Sequence, residues 1–207
     1  VYSLPWMNGN ENIRSYIKKY PVYRYGKYNM AAQKAWELFL QTVYATSSSS
    51  QEGATESLFC ARPSFNIKSV SSWGTRRIEY DAILFEKAVG CLLDASEDFK
   101  SRSSYRFDLV DAVRQVVANK GQHFHQKMKI AFEAKDKTGF ENASQIFLSL
   151  ILLQDSLLKC DQRFMLSTWL NEARSFGADE AAKDLSEKNA RWLVTIWGAD
   201  DPDTDLH

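Results

Sequence analysis

Apolar residues along this chain return at three- and four-residue intervals almost from end to end. That is the spacing of one face of an α-helix, not the alternation of a strand. Ile13, Tyr16, Ile17 and Tyr20 fall at i, i+3, i+4 and i+7. The spacing predicts a first helix that stops before Pro21, whose ring removes a donor and crowds the preceding turn. Asn29 is placed to cap a second helix, with Ala32, Ala35, Trp36, Phe39, Leu40, Val43 and Tyr44 along its inner stripe. Ser47–Ser50, followed by Gln51, Glu52 and Gly53, reads as a flexible loop, and Leu58–Trp73 as an extended crossover past Arg62 and Pro63.

Helical spacing resumes at Glu79, with Phe85, Ala88, Val89, Leu92 and Leu93 in one stripe. A long helix opens at Ser103 or Ser104 and carries Phe107, Val110, Val113, Val117, Phe124, Met128 and Phe132. Gly121 in its middle costs about 1 kcal/mol relative to Ala. Thr138 and Glu141 form a T-x-x-E capping box. The helix it opens holds Ile146, Phe147, Leu150, Ile151, Leu153, Leu157 and Leu158, apolar on more than one face, and is expected to sit centrally with neighbours on several sides. Phe164–Phe176 is a shorter helix with Gly177 at its C′ position, and a last one runs from about Asp179 to Trp197 and stops at Gly198. Six to seven helices, without strand alternation or internal repeat, predict an all-α fold, an irregular helical bundle.

Composition narrows the functions open to such a bundle. At 44% hydrophobic and 13% aromatic residues, the chain can build a sizeable core and is not compositionally disordered. Lys plus Arg and Asp plus Glu are both 26, so the net charge is zero. Neither nucleic acid nor a membrane is expected as a partner. The balance hides a gradient. Residues 1–30 carry five bases against Glu11 alone, and the last ten carry Asp200, Asp201, Asp203 and Asp205 without a Lys or Arg. Both runs read as solvated faces. Cys60, Cys91 and Cys160 lack C-x-x-C spacing and are expected as buried free thiols, with one disulfide left open. Val1 is not an initiator Met, and the chain is expected to be cut at both ends.

Candidate chemistry is sparse. The sequence has no phosphate loop, H-E-x-x-H, G-x-S-x-G or dinucleotide fingerprint, so no cofactor is expected. His123 and His125 would point roughly 200° apart on a helix and cannot share a metal; they are expected as solvent-facing or hydrogen-bonded. Asp108 and Asp111 share a face near a helix start, where carboxylates are favoured by the macrodipole alone. Trp192, Leu193, Ile196 and Trp197 surround the end of the last helix. An indole there can stack on a sugar or simply plug the bundle end; the spacing leaves both open.

Several segments resemble the α-N-acetylglucosaminidases of glycoside hydrolase family 89. They are Tyr105-Arg106-Phe107-Asp108-Leu109-Val110-Asp111 with Arg114-Gln115, and Arg163-Phe164-Met165-Leu166-Ser167-Thr168-Trp169-Leu170 with Glu172-Ala173-Arg174. A third is Asn189-Ala190-Arg191 followed by Leu193, Thr195, Ile196, Trp197 and Gly198. Weaker matches are Tyr25-Gly26, Ala35-Trp36-Glu37-Leu38 and Arg62-Pro63-Ser64. The resemblance implies the C-terminal α-helical domain of a retaining enzyme that removes terminal non-reducing α-linked N-acetylglucosamine, from heparan sulfate among other glycans. It places residues 1–28 as the closing segment of a preceding (β/α)8 barrel with a first helix, and 29–207 as the helical domain, incomplete at its C-terminus. Retention uses two carboxylates roughly 5–5.5 Å apart. The resemblance implies that both are barrel glutamates, so no residue here is assigned as catalytic. It places Trp197 and Leu206 in the wall of the substrate pocket and implies Arg62 and Arg106 in interdomain or buried ion pairs. The implied partners are a terminal N-acetylglucosamine and the barrel of the same polypeptide. The implied location is outside the cytoplasm, exported in a bacterium or lysosomal in an animal. A single sequon, Asn142-Ala143-Ser144, and free thiols favour the bacterial case. The rival readings are a structural or protein-interaction module with Trp197 in its core, and an autonomous glycan-binding module.

Overall fold

The computed structural model describes residues 12–45, 56–68, 70 and 75–195. Trp197 and Leu206, the two expected pocket residues, lie outside them, as does the expected loop at 47–53. Among the described residues there are eight α-helices, two 3-10 turns and no strand. The helices are α1 (Ile13–Tyr25), α2 (Met30–Gln41), α3 (Ala82–Asp94), α4 (Ser96–Phe99), α5 (Ser103–Glu133), α6 (Lys137–Leu158), α7 (Leu166–Ser175) and α8 (Glu180–Leu193). The all-α expectation holds. The chain divides into two compact units, residues 1–48 with 78–116, and 49–77 with 117–207.

The first unit holds α1 to α4 and the opening of α5. Asn29 and Asp81 cap α2 and α3 by accepting backbone N–H bonds from Ala32 and from Ile83 and Leu84. Ala32, Ala35 and Ala88 are wholly buried, and side chains that small let α2 and α3 approach closely. Trp36, Phe39, Phe85, Leu92, Phe99 and Tyr105 complete the core, each contributing about 1.5–3 kcal/mol if fully buried. Leu93, expected in the inner stripe, is exposed, one position past the buried face.

Pro21 does not end α1, contrary to the expectation from sequence: the helix runs through it to Tyr25. An interior proline costs about 3 kcal/mol. Here its ring is buried, and the turn after it delivers Arg24 and Tyr25 to the unit's polar centre. The stop is Gly26, in the left-handed region at φ 95°, whose N–H donates to the Val22 carbonyl.

The second unit holds the rest of α5 with α6, α7, α8 and residues 56–70. At the α5–α6 corner, Lys135 adopts φ 55°, its N–H donates to Phe132 and the Asp136 N–H to Ala131. That is a Schellman closure without glycine. Asp136 then caps α6, accepting from Gly139 N–H at 2.9 Å. The T-x-x-E box is therefore not the cap: Thr138 lies inside the first turn. An aspartate after a left-handed residue outcompetes it as an acceptor.

Within the expected crossover Leu58–Trp73, the described residues are not simply extended. A 3-10 turn at Leu58–Cys60 and the loop beyond it dock on aromatic rings. Phe59 lies 5.5 Å from Phe147, and Phe65 4.9 Å from Phe132. A Cβ on Gly121 would fall 2.5 Å from the Phe59 ring. The mid-helix glycine thus exists to admit that ring.

Candidate functional site

In the first unit the shared motif residues converge. Tyr25 comes from the end of α1, Trp36 from α2, and Tyr105 with Asp108 from the first turns of α5. Arg24 grips Asp108 through two bonds, Nε to Oδ2 at 2.5 Å and Nη2 to Oδ1 at 2.6 Å. Tyr25 Oη donates to Asp108 Oδ2 at 2.8 Å and accepts from Trp36 Nε1 at 3.0 Å. Ser104 Oγ donates to the Arg24 carbonyl, tying α5 to the helix end. Tyr105 Oη donates to the Leu92 carbonyl, and its ring stands edge-on to Tyr25 at 5.4 Å.

The electrostatics follow from this wiring. Burial, then the Asp108 charge, pushes the Tyr25 phenol far above its ordinary value. Burial raises Tyr105 to about 12. The hydrogen bond to Asp108 holds Arg24 protonated above its usual range. A carboxylate so fully engaged is a packing element and not an acid or base for chemistry. Asp111 pairs with Arg114 on its own helix, at a half-exposed position. The two acids share a face but, among the described residues, hold different partners. The basic partner of Asp108 is Arg24; Arg62 and Arg106 are both exposed, and Arg106 donates to the Lys100 carbonyl at 3.2 Å. Sequence spacing could not have found Arg24, which lies 84 residues away.

In the second unit the other two motifs also meet. Arg174 on α7 reaches Asp184 at 2.6 Å, Glu187 at 3.0 Å and Glu180 at 3.1 Å, all on α8. Arg191 clamps Glu187 from the same helix at 2.6 Å. Hydrogen bonds from Arg191, then from Arg174, hold the Glu187 carboxyl below its ordinary value. Gly177, between the helices, is not left-handed. A Cβ there would fall 2.3 Å from the Lys183 backbone nitrogen, so its role is close approach. Asp179 caps α8 through the Ala182 N–H. The helix ends at Leu193, with Val194 as its cap, four residues before Trp197 and earlier than expected. Its last-turn indole is Trp192, with the Lys188 ammonium 4.5 Å from the ring centre. An open groove of about 530 Å³ runs beside α7, lined by Gln162, Met165, Thr168, Asn171 and Glu172 among others.

The histidines separate as their spacing requires. His125 is buried, and its Nε2 donates to the Ser64 carbonyl at 2.7 Å; His123 is exposed beside Phe124. Cys60 and Cys160 are exposed and Cys91 half-buried, all as free thiols, so the expectation of burial fails for two. Among the described residues, no His, Cys, Asp or Glu group is gathered to hold a metal, and no helix is long and apolar enough to cross a membrane.

These features define an all-α domain whose shared motifs hold helix ends together, the first motif set at Asp108 and the second at Arg174. A family profile described as the alpha-N-acetylglucosaminidase (NAGLU) C-terminal domain matches residues 16–207, and the chain belongs to that family. Human alpha-N-acetylglucosaminidase is 28% identical over 188 residues, 90% of this chain and 24% of the relative. A family 89 glycoside hydrolase from Clostridium perfringens, solved with 2-acetamido-1,2-dideoxynojirmycin, is 35% identical with a TM-score of 0.91, over 97% of this chain and 23% of that one. Another structure from this bacterium, with two glutamates changed to glutamine and its substrate GlcNAc-alpha-1,4-galactose bound, gives 34% and 0.93 over 99% and 24%. The chain thus spans about a quarter of the length of the relatives it matches.

Proposed function

We propose that this chain is the helical domain of a retaining α-N-acetylglucosaminidase, which removes terminal non-reducing α-linked N-acetylglucosamine from glycans. The observation that carries the reading is the match, over nearly the whole chain, to an enzyme solved with an α-linked N-acetylglucosamine substrate. In that structure two glutamates are replaced by glutamine, the change that would remove a nucleophile and an acid/base while leaving sugar contacts in place. The catalytic pair is assigned to a (β/α)8 barrel of the same polypeptide, whose closing segment is read in residues 1–28. The helical domain supplies one wall of the pocket through Trp197 and Leu206. An indole packs against sugar C–H groups while neighbouring polar groups satisfy the hydroxyls. The compartment proposed is outside the cytoplasm of a bacterium, in keeping with the higher identity to the bacterial relative.

The test is turnover of 4-nitrophenyl α-N-acetylglucosaminide by the full-length polypeptide, with the first-formed anomer read by proton NMR. The α-anomer is expected first. No turnover would sink the assignment, and the β-anomer first would sink retention.

A further inference from the structure

One row of α8 carries a chain of polar contacts along the helix. Glu180, Asp184, Glu187 and Arg191 follow one another at steps of four, three and four residues, which keeps them on one face. The three acids converge on a single guanidinium, that of Arg174 on α7, at 3.1, 2.6 and 3.0 Å. Their surroundings separate them. The Glu180 and Asp184 side chains are 75% and 70% exposed, where an ion pair contributes little, and Glu187 is 23% exposed. Glu187 also accepts two bonds from Arg191, from Nε at 2.9 Å and from Nη2 at 2.6 Å. The Arg191 carbonyl in turn accepts the Val194 N–H at 3.2 Å and the Thr195 hydroxyl at 2.7 Å. Contacts thus run without a break from Arg174 through Glu187 and Arg191 to Thr195, past Leu193, the last helical residue.

The far half of that chain is not needed to join the two helices, because Arg174 already does so. The links beyond Glu187 lie within α8 and its exit, and what they fix is the backbone where the helix ends. Trp197 stands two residues past Thr195 in the sequence. A side chain that stacks on a sugar has to be presented within roughly 0.5 Å of its working position, which takes a backbone held by its neighbours. We infer that Glu187 and Thr195 are positioning residues for Trp197, holding the end of α8 from which its indole is presented to the sugar. The inference rests on the functional reading above. Both residues act through the indole and not on the sugar.

The experiment is a double-mutant cycle in the full-length enzyme, with kcat/KM for 4-nitrophenyl α-N-acetylglucosaminide read well below the melting temperature of every variant. Glu187→Gln and Thr195→Val are each made in the wild type and in the Trp197→Ala background. Each should lower kcat/KM about fivefold in the wild type and leave it unchanged once the indole is gone, because nothing is left to position. Thr195→Ser keeps the hydroxyl and should retain most of the wild-type value. A residue that only stabilises the fold loses the same factor in both backgrounds. That result would overturn the inference, as would wild-type kcat/KM in both single variants. If Glu187→Gln folds poorly, Thr195→Val against Thr195→Ser decides, since both leave the Arg174 contacts in place. Wild-type kcat/KM in Trp197→Ala by itself removes the functional reading of the indole and this inference with it. A loss there, with equal factors in the two backgrounds, fails only the positioning claim.

Discussion

Asp108 and Asp111 stand one turn apart on α5, and their surroundings make opposite predictions for the same mutation. Asp108 is largely buried and holds Arg24 and Tyr25 together. Asp108→Ala leaves a guanidinium and a phenol without their acceptor and should cost about 3 kcal/mol in urea denaturation. Asp111→Ala breaks a half-exposed pair within one helix and should stay within about 1 kcal/mol. Equal effects would mean that the Asp108 cluster is not the unit's polar centre. The phenols add a pH test. Tyr25 and Tyr105 have raised values in the folded chain, so their burial favours the neutral form. That stability is whole below pH 10, the ordinary phenol value, and is lost as pH climbs towards about 12. Absorbance at 295 nm should therefore show these two tyrosines ionising together with the loss of helical circular dichroism, and not before it.

At the scale of elements, glycines and caps decide where helices begin, end and touch. Gly121→Ala would drive a methyl into the Phe59 ring. It should destabilise by about 1–3 kcal/mol, although alanine is the better helix former. Adding Phe59→Leu should recover part of that loss; a stabilising Gly121→Ala would show that the ring does not pack there. This element also marks what the sequence could and could not say. Periodicity located α2, α3, α5 and the start of α8 well, because one-sided burial writes itself into apolar spacing. It ended α1 too soon at Pro21, since the reward for continuing lies at Asp108, far along the chain. It chose Thr138 over Asp136 because a left-handed Lys135 is invisible in composition. It placed Gly177 rightly at C′, just past the end of α7, but the glycine is there for close approach to the Lys183 backbone and not for a left-handed turn.

For the whole molecule, the family was legible because its motif residues are the ones that hold helix ends together, at Asp108 in one unit and Arg174 in the other. Trp197 and Leu206 enter the proposed pocket wall only through the resemblance, since they make no spacing pattern of their own. The α7–α8 clamp sets a condition on how these two helices are held together. Glu187 has a lowered carboxyl value, so its contribution is present above the ordinary value of 4.5 and fades as pH falls below it. The melting temperature should be flat from pH 7 to 5 and drop at pH 3, and Glu187→Gln should reduce that drop. An unchanged acid-side drop in the variant would contradict the clamp.

The central claim is that this helical domain lends an indole to the sugar pocket. Its most direct test is kcat/KM for 4-nitrophenyl α-N-acetylglucosaminide in the full-length enzyme, comparing Trp197→Ala and Trp197→Phe at matched melting temperature. The account predicts a fall of roughly tenfold or more for Ala, about 1.4 kcal/mol or more of transition-state binding, with partial retention for Phe. Wild-type kcat/KM in a folded Trp197→Ala enzyme would contradict it.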